Sequence, residues 1–383
     1  MDFATARTLV RAATLGIDDL ERAIAAAGAC AAVDFLLDEI RPRLRLSELS
    51  EFDQDTIVRL CLQAGAETVH RDLVVRRNGS GWAFGPPGEH PVAAAAVITQ
   101  DLAEALRGTV SPSGASAATR SVQWRDADDF TAFHSPPAAF RVVQRLLAAM
   151  ERRDDRDLSA LAAHHGSDKW GLHNYTPHYQ RHFEPLRDEP IVLLEIGVGG
   201  YQDPTGGGAS LRMWRDFFPR ALVYGLDVVD KSAHDEGRIR TLLADQADPG
   251  SLSRAVEPIG RPDIIIDDGS HINKHVLSTF RALFPLLRPG GKYVIEDLQT
   301  AYWPSFGGSE QSTCDPHTTI GLLKDLVDGL NHQELTERNP RSSSTTDTQI
   351  AGVHFHHNLA VLDKGLNLEP GAPSWLARTQ PES

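Results

Sequence analysis

Residues 264–271 read IIIDDGSH: three β-branched apolar residues, then Asp267, Asp268, a glycine, Ser270 and His271. Side chains alternate faces along a strand, so a buried run that ends abruptly in three ionisable groups delivers chemistry to the rim of a sheet. A polar turn with a helix cap would account for Asp268 or Ser270, but it calls for neither the second acid nor the histidine. Further along, YVIED closes another apolar run with Glu296 and Asp297. Neighbouring parallel strands lie about 4.8 Å apart, so carboxylates at two such ends can converge on one cation. Three or four hard oxygen ligands with room for water and substrate suit Mg²⁺ or Mn²⁺ better than zinc. Beside a cation that acidifies a bound hydroxyl, His271 is placed to take the proton as the oxygen becomes a nucleophile.

A second constellation begins with EIGVGG, which carries Glu195, Gly197, Gly199 and Gly200. A glycine-rich turn between strand and helix lets a ligand touch the backbone, and ligands of open α/β sheets bind beyond the carboxyl ends of the strands. Asp227, in YGLDVVD, stands 30 residues beyond Gly197, where an acid accepts hydrogen bonds from ribose hydroxyls. The two together indicate an adenosine cofactor. A pyrophosphate wants GxGxxG running straight into a helix N-terminus, whereas here YQDPTGGGAS intervenes before the helix. The surrounding acids, Glu195, Asp203, Asp227, Asp245 and Asp267, would repel a pyrophosphate and suit a ligand bearing a sulfonium and an ammonium.

These residues need elements to position them. From 191 the chain alternates short apolar runs with helical ones: IVLLEIG, SLRMWRDFF, LVYGLDVV, DPGSLSRAVE, DIIIDDG, KHVLSTFRALFPLL, GGKYVIED. That alternation predicts βαβ units and a parallel, doubly wound α/β sheet. A helix near 317–330 and two strand-like runs, QIAGVHFHH and LAVLDKG, complete it as an edge hairpin, with HFHH read as strand and turn; PRSSSTTDT at 340–348 reads as a surface loop. Ahead of it, residues 4–46 have helical spacing, with Asp18 and Asp19 suited to a helix start. DTIVRLCLQ, ETVHRDLVVRR and WAF alternate like strands of an antiparallel sheet, NGSG at 78–81 signals a tight turn, and DLAEALRG closes as a helix. SPSGASAATRS at 111–121 and HSPP at 134–137 read as boundaries, and helical sequence resumes over about 138–163. The expected division is an auxiliary α+β domain over 1–135 and the α/β domain over 136–383.

A chain of 383 residues, 41% hydrophobic, can bury cores in two or three domains. With 38 Lys and Arg against 52 Asp and Glu, a formal charge of -14 disfavours nucleic acid and anionic membranes as partners. The densest basic run, RPRLRL at 41–46, reads as a helix end. Three scattered cysteines, Cys30, Cys61 and Cys314, support neither a disulfide framework nor a zinc knuckle, and MDFATARTLVRAATLG lacks a signal-peptide pattern, so a cytoplasmic location is expected.

The combination GSDKWGLHNYTPHYQRHF at 166–183, LEIGVGGY, GLDV, DQAD, IIIDDGSH, LRPGGKYVIEDLQTAYWPSFGG and GVHFHHN resembles the metal-dependent sugar O-methyltransferases of actinobacterial macrolide and polyketide antibiotic biosynthesis, over about 157–360. The resemblance implies a Rossmann-like S-adenosylmethionine-dependent methyltransferase sheet and Mg²⁺. It places the metal ligands on Asp268, Glu296 and Asp297 and the general base on His271. The cofactor pocket falls on Glu195, Gly197, Gly199, Asp227, Asp245 and Gln246, with Asp267 left to either cofactor or metal. Lys169, Tyr175 and His178 fall in a segment expected to cover cofactor or acceptor, and Tyr302, Trp303 and Phe306 either wall the acceptor site or pack on the core. A deoxysugar on a polyketide is the implied acceptor and a homotetramer the implied assembly. A nicotinamide-dependent oxidoreductase and a non-catalytic carrier are the competing readings.

Overall fold

The computed structural model describes residues 2–46, 54–77, 81–88, 93–111, 118–125, 138–151, 157–311, 315–335, 344–373 and 375. Most of the turn at 78–81, the boundary segments within 112–117 and at 134–137, Cys314 and the start of the loop at 340–348 lie outside them. The chain opens with three helices, α1 (Phe3–Leu15), α2 (Ile17–Ala27) and α3 (Ala29–Ile40). Asp2 caps α1 by accepting the Thr5 N–H at 3.0 Å, and Asp18 and Asp19 lie in the first turn of α2, where the helix dipole favours them. Five strands follow with two more helices: β1 (Thr56–Ala64), β2 (Glu67–Val75), β3 (Trp82–Gly85), β4 (Ala96–Asp101), α4 (Leu102–Val110), β5 (Ser121–Trp124) and α5 (Ala138–Glu151).

The strand order is β3-β2-β1-β4-β5, and β4 runs parallel to β1. This corrects the expectation of a purely antiparallel sheet. Ala96, Ile98 and Gln100 of β4 are buried beside the central strand β1, so β4 re-enters at the sheet centre instead of extending the meander, and it then feeds directly into α4. The apolar face of α5, with Val142, Val143, Leu146 and Met150, joins this first core. Helix α5 thus packs with the elements that precede it.

The second unit comprises α6 (Leu158–His165), α7 (Thr176–Phe183), β6 (Val192–Ile196), α8 (Ala209–Phe217), β7 (Leu222–Asp227), β8 (Ile239–Leu243), α9 (Pro249–Val256), β9 (Ile264–Asp267), α10 (Asn273–Leu283), β10 (Lys292–Glu296), α11 (Thr319–Leu330), β11 (Ile350–His356) and β12 (Leu359–Lys364). Its sheet has the order β11-β12-β10-β9-β6-β7-β8. The five strands β6 to β10 are parallel, and β12 enters antiparallel beside β10 to form the expected edge hairpin with β11. Strand β8 carries too weak an alternation to be seen in sequence, because it is a half-exposed edge with a mixed face. Order reverses between β6 and β9, which is the switch point where open α/β sheets bind ligands. Apolar side chains of alternate parity feed one core on each face, Leu194 and Ile265 on one side, Leu193, Ile264 and the fully buried Trp214 on the other. Among the described residues, no helix is long and apolar enough to cross a membrane.

The two units meet through charge as well as apolar packing. Phe3 of α1 sets its ring edge-on to Tyr224 of β7, with centroids 5.3 Å apart. Arg238, fully buried, donates to Glu39 of α3 at 2.8 and 2.7 Å and to the carbonyls of Phe218, Ala221 and Arg215 at 2.8 to 3.0 Å. All five guanidinium N–H groups are engaged. Glu39 also accepts from Arg43 at 3.1 Å, so the basic run at the end of α3 is an internal counter-ion as well as a helix end. Burial pushes the Glu39 carboxyl up, but the attraction of Arg238, then Arg43 and Arg215, outweighs it and leaves the group below its ordinary value. A carboxyl held low contributes stability above its unfolded pKa and loses it as pH falls through the folded one. Arg238→Met should therefore cost about 3–5 kcal/mol at neutral pH by removing the principal counter-ion of a buried carboxylate and leaving Arg43 as its remaining side-chain donor. In denaturant titrations the gap to the unaltered protein should narrow below pH ~4. A gap independent of pH would assign the loss to packing.

Candidate active site

Three parallel strands end side by side and deliver the acids. Glu195 lies on β6, Asp267 and Asp268 end β9, and Glu296 and Asp297 end β10, with Asp267 in register with Ile196 and Ile295. Asp267 is 2% exposed and accepts from Gln246 Nε2 at 2.7 Å; burial pushes its carboxyl up to about 7 against that hydrogen bond. Gln246 Oε1 in turn accepts the Ser270 N–H at 2.8 Å, so the DQAD loop is tied to the DDGSH loop. The close approach is completed by Gly197, at φ +91°, where a Cβ would stand 2.0 Å from the Asp268 carbonyl oxygen. Only glycine fits there.

At the centre sits Lys169, 1% exposed, from the loop between α6 and α7. Its ammonium lies 2.6 Å from Asp268 Oδ2, 2.7 Å from Glu296 Oε1 and 3.3 Å from Glu195 Oε1. Burial works against the charge, yet the three carboxylates hold the lysine well above its ordinary range. Burial also pushes Glu195 up, and burial with the nearby Asp268 charge pushes Glu296 well up, because one ammonium is shared among all three. Tyr179 of α7 donates to the same Glu296 oxygen, while Ser210 and Trp214 donate to Glu195 Oε2 at 2.8 and 3.2 Å.

Asp268 also faces the opposite way. His271 Nε2 lies 3.8 Å from Asp268 Oδ1 and 3.4 Å from Asp297 Oδ2, and all three side chains are about a fifth exposed. Tyr175 donates to Asp297 Oδ1 at 2.7 Å, and His173, stacked on Tyr175 at 4.6 Å, reaches the same oxygen at 3.9 Å. Burial raises Asp297, but Tyr175 and then His271 outweigh it and hold the carboxyl low. His271 and Asp297 both adopt left-handed backbone, φ +55° and +53°, a conformation that costs non-glycine residues energy and gathers at functional sites.

The structure thus brings Asp268, His271 and Asp297 into one cluster whose ligand atoms lie within 4.8 Å, and Glu195, Asp268 and Glu296 into another, joined through Asp268. Asp227 stands at the end of β7 with its oxygens accepting the Val198 and Val229 N–H groups at 3.0 and 2.9 Å, beside the glycine loop. Gly199, at φ +80°, packs its α-carbon side against Gly207. Asp245 is exposed and closes its own turn on the Ala247 N–H, and Asp203 does the same on Thr205. Ser270 organises the turn before α10, meeting His275 at 2.9 Å. Tyr302 and Trp303 are 42% and 47% exposed and therefore available as a wall, with Phe306 packed against Trp303 at 5.7 Å. His178 stacks on His356 of β11 at 4.0 Å, and His182 Nε2 lies 3.0 Å from His356 Nε2, so these histidines fasten α7 to the edge hairpin. Burial and neighbouring cationic side chains press His182 down to about 4.

Tyr179 and His173 escaped the sequence reading, and Lys169 and Tyr175 entered it through the resemblance alone. Their only signal is a lysine and two tyrosines spaced along a segment that ends in a helix, and nothing local says that it folds over strand ends more than a hundred residues away.

The family described as MycE methyltransferase N-terminal matches residues 6–120. The chain is 50% identical over 303 residues to the 8-demethyl-8-alpha-L-rhamnosyl tetracenomycin-C 2'-O-methyltransferase of Streptomyces olivaceus, covering 77% of this chain and 80% of that one. It is 52% identical over 223 residues to the mycinamicin VI 2''-O-methyltransferase of Micromonospora griseorubida, covering 58% of this chain and 56% of that one. The demethylmacrocin O-methyltransferase of Streptomyces fradiae is 54% identical over 223 residues, again 58% and 56% of the two chains. The matches to these last two span little more than half of their length. Among solved structures, the MycE methyltransferase of the mycinamycin pathway in complex with Mg and SAH superposes with a TM-score of 0.88 at 39% identity, over 99% of this chain and 98% of that one. With such identity over most of its length and a shared fold over nearly all of it, the chain belongs to the family of sugar O-methyltransferases that includes these enzymes.

Proposed function

We propose that the protein transfers the methyl group of S-adenosylmethionine to a secondary hydroxyl of a deoxysugar on a macrolide or related polyketide, with Mg²⁺. The observation that carries this reading is the placement of His271 between Asp268 and Asp297 at the open end of a carboxylate cluster. Solved relatives support the ligands: MycE has been crystallised with Mg and SAH, and with Mg, SAH and mycinamycin VI. The donor chemistry fits a hard cation: Asp268 shares one cluster with Asp297 and the other with Glu296, and all three offer carboxylate oxygens from two adjacent strand ends. These three would hold the metal. When bound, S-adenosylmethionine supplies an electrophilic methyl group, and Mg²⁺ supplies Lewis acidity that orients and acidifies an acceptor hydroxyl.

The remaining work falls to the chain. His271 accepts the hydroxyl proton, and the carboxylates at 3.4 and 3.8 Å stabilise the imidazolium that results. Tyr175 and His173 fix Asp297, and Lys169 and Tyr179 fix Glu296, so both acids keep one orientation. Glycines 197 and 199 open the floor for the cofactor, Asp227 and Asp245 take its polar groups, Glu195 backs that floor from its buried place among Lys169, Ser210 and Trp214, and Gln246 and Asp267 line the junction with the metal side. Tyr302, Trp303 and Phe306 supply apolar surface for the aglycone. We place the N-terminal unit as an auxiliary domain, divided from the methyltransferase unit after α5 on the packing of that helix. A cytoplasmic homotetramer is the assembly proposed, and light scattering on the purified protein tests it.

His271→Ala should bind S-adenosylhomocysteine normally while turnover falls by roughly 10²–10⁴. Asp268→Asn should lose metal-dependent turnover along with metal affinity in calorimetry. Activity retained in either variant removes that residue from the mechanism. Lys169→Met leaves the buried Glu195 and Glu296 facing one another and the partly exposed Asp268. Its melting temperature should drop more in EDTA than in excess Mg²⁺, with a cost of about 3–5 kcal/mol in the metal-free protein. An equal loss in both conditions would reduce Lys169 to a packing role.

A further inference from the structure

The connection between β7 and β8, residues 228–238, lies between the N-terminal unit and the glycine loop. Two side chains from it hold that loop. Lys231 is 1% exposed, and its ammonium donates to the carbonyls of Tyr201 at 3.0 Å, Asp203 at 2.6 Å and Gly206 at 3.2 Å. His234, 5% exposed, places Nε2 3.0 Å from the same Gly206 oxygen, and a Cβ on Gly208 would meet its ring at 2.7 Å. Such a fully hydrogen-bonded ammonium fixes the loop 201–208 from below, and Gly208 in turn donates to the Val198 carbonyl at 2.8 Å within EIGVGG.

The other side of the connection is held by the N-terminal unit. Gly237 packs near Phe35 of α3 and Ala6 of α1, and Arg238 ends the connection on Glu39. Between them runs a continuous polar chain. Arg238 donates to the Arg215 carbonyl at 2.8 Å, Arg215 pairs with Glu236, Glu236 accepts from Arg212 Nε at 2.6 Å, and Arg212 Nη2 lies 3.3 Å from His234 Nδ1. Every member is satisfied by the next, so displacement of Glu39 frees Arg238, Arg215 and Glu236 to shift before it reaches Gly206.

We infer that the N-terminal unit of each chain clamps its own cofactor loop, with Glu39, Arg212, Lys231 and His234 as positioning residues that set affinity for the adenosine cofactor. The inference rests on the methyltransferase reading for the identity of that ligand, though not for the existence of the clamp. It gives residues 1–46 a function within their own subunit, through the 228–238 connection.

The test uses full-length protein in three forms: unaltered, Glu39→Gln and Arg212→Gln. Arg212 is partly exposed, so its variant retains the buried Arg238 cluster if the Glu39 change compromises folding. Hydrogen exchange of the ligand-free proteins should accelerate in residues 199–208 in both variants, while the central strands β9 and β10 keep their protection. Calorimetry with S-adenosylhomocysteine should show affinity weakened roughly fivefold or more, within the range of ordinary intersite coupling. Mn²⁺ affinity should stay unchanged, which a general loosening of the fold would not allow. Unaltered exchange at 199–208 in Arg212→Gln overturns the clamp. Accelerated exchange with undiminished cofactor affinity overturns its role in binding. If the unaltered protein fails to bind S-adenosylhomocysteine although exchange responds, the clamp stands and the methyltransferase reading falls.

Discussion

A single buried ammonium balances the acidic end of the sheet. Glu195, Asp268 and Glu296 come from three different strands, and Lys169 is within 3.3 Å of all of them. Like charges this close in a protein interior would otherwise protonate or push their strand ends apart. Lys169 is brought there by a loop whose flanking helix also contributes Tyr179 to Glu296 and whose end contributes Tyr175 to Asp297. The loop therefore covers the strand ends and supplies their counter-charge in one stroke. It also frees Asp268 to divide its two oxygens, one toward the lysine and one toward His271 and Asp297.

The same arrangement separates two kinds of acid. Glu195 and Glu296, next to Lys169, are dry and held by several donors, whereas Asp268, Asp297 and His271 lie partly open, the last two on left-handed backbone. Rigid groups at the back and strained, accessible groups at the front are what a reaction centre requires, because orientation is set before a substrate arrives. Neighbouring loops take part in this. Asn273 at the start of α10 donates to the carbonyls of Thr300 and Phe306 and accepts the Thr319 N–H at 2.7 Å, which fastens the aromatic segment after β10 beside the site.

Much of this is legible in the sequence. The alternation of apolar runs from 191 onward carried the doubly wound sheet, and the abrupt endings IIIDD and YVIED carried the acids, because buried parallel strands announce both their interiors and their termini. Edge and long-range features were harder to read. Strand β8 is short and half exposed, so its pattern is diluted, and the parallel pairing of β4 with β1 depends on a crossover that local alternation does not encode. Lys169 resembled any lysine in a polar segment; its burial among acids is a product of tertiary contacts across 99 and 127 positions of sequence. Arg238 was silent for the same reason, since its partner Glu39 lies 199 residues away.

The contact between Gly197 and the Asp268 carbonyl has a consequence for how such an enzyme can diversify. With a Cβ excluded at 2.0 Å, the backbone of the glycine turn and that of the acid-bearing turn form one interlocked unit. Neither can be reshaped separately, and an insertion in one would displace the other. The segments at 170–174 and 302–306 lie outside that unit, and their exposed Trp170, Leu172, Tyr302 and Trp303 can vary without reshaping it. A library that leaves residues 195–200 and 264–271 and His173 untouched and randomises only Trp170, Leu172, Tyr302 and Trp303 asks whether those side chains set acceptor choice while the groups around Asp297 keep their places.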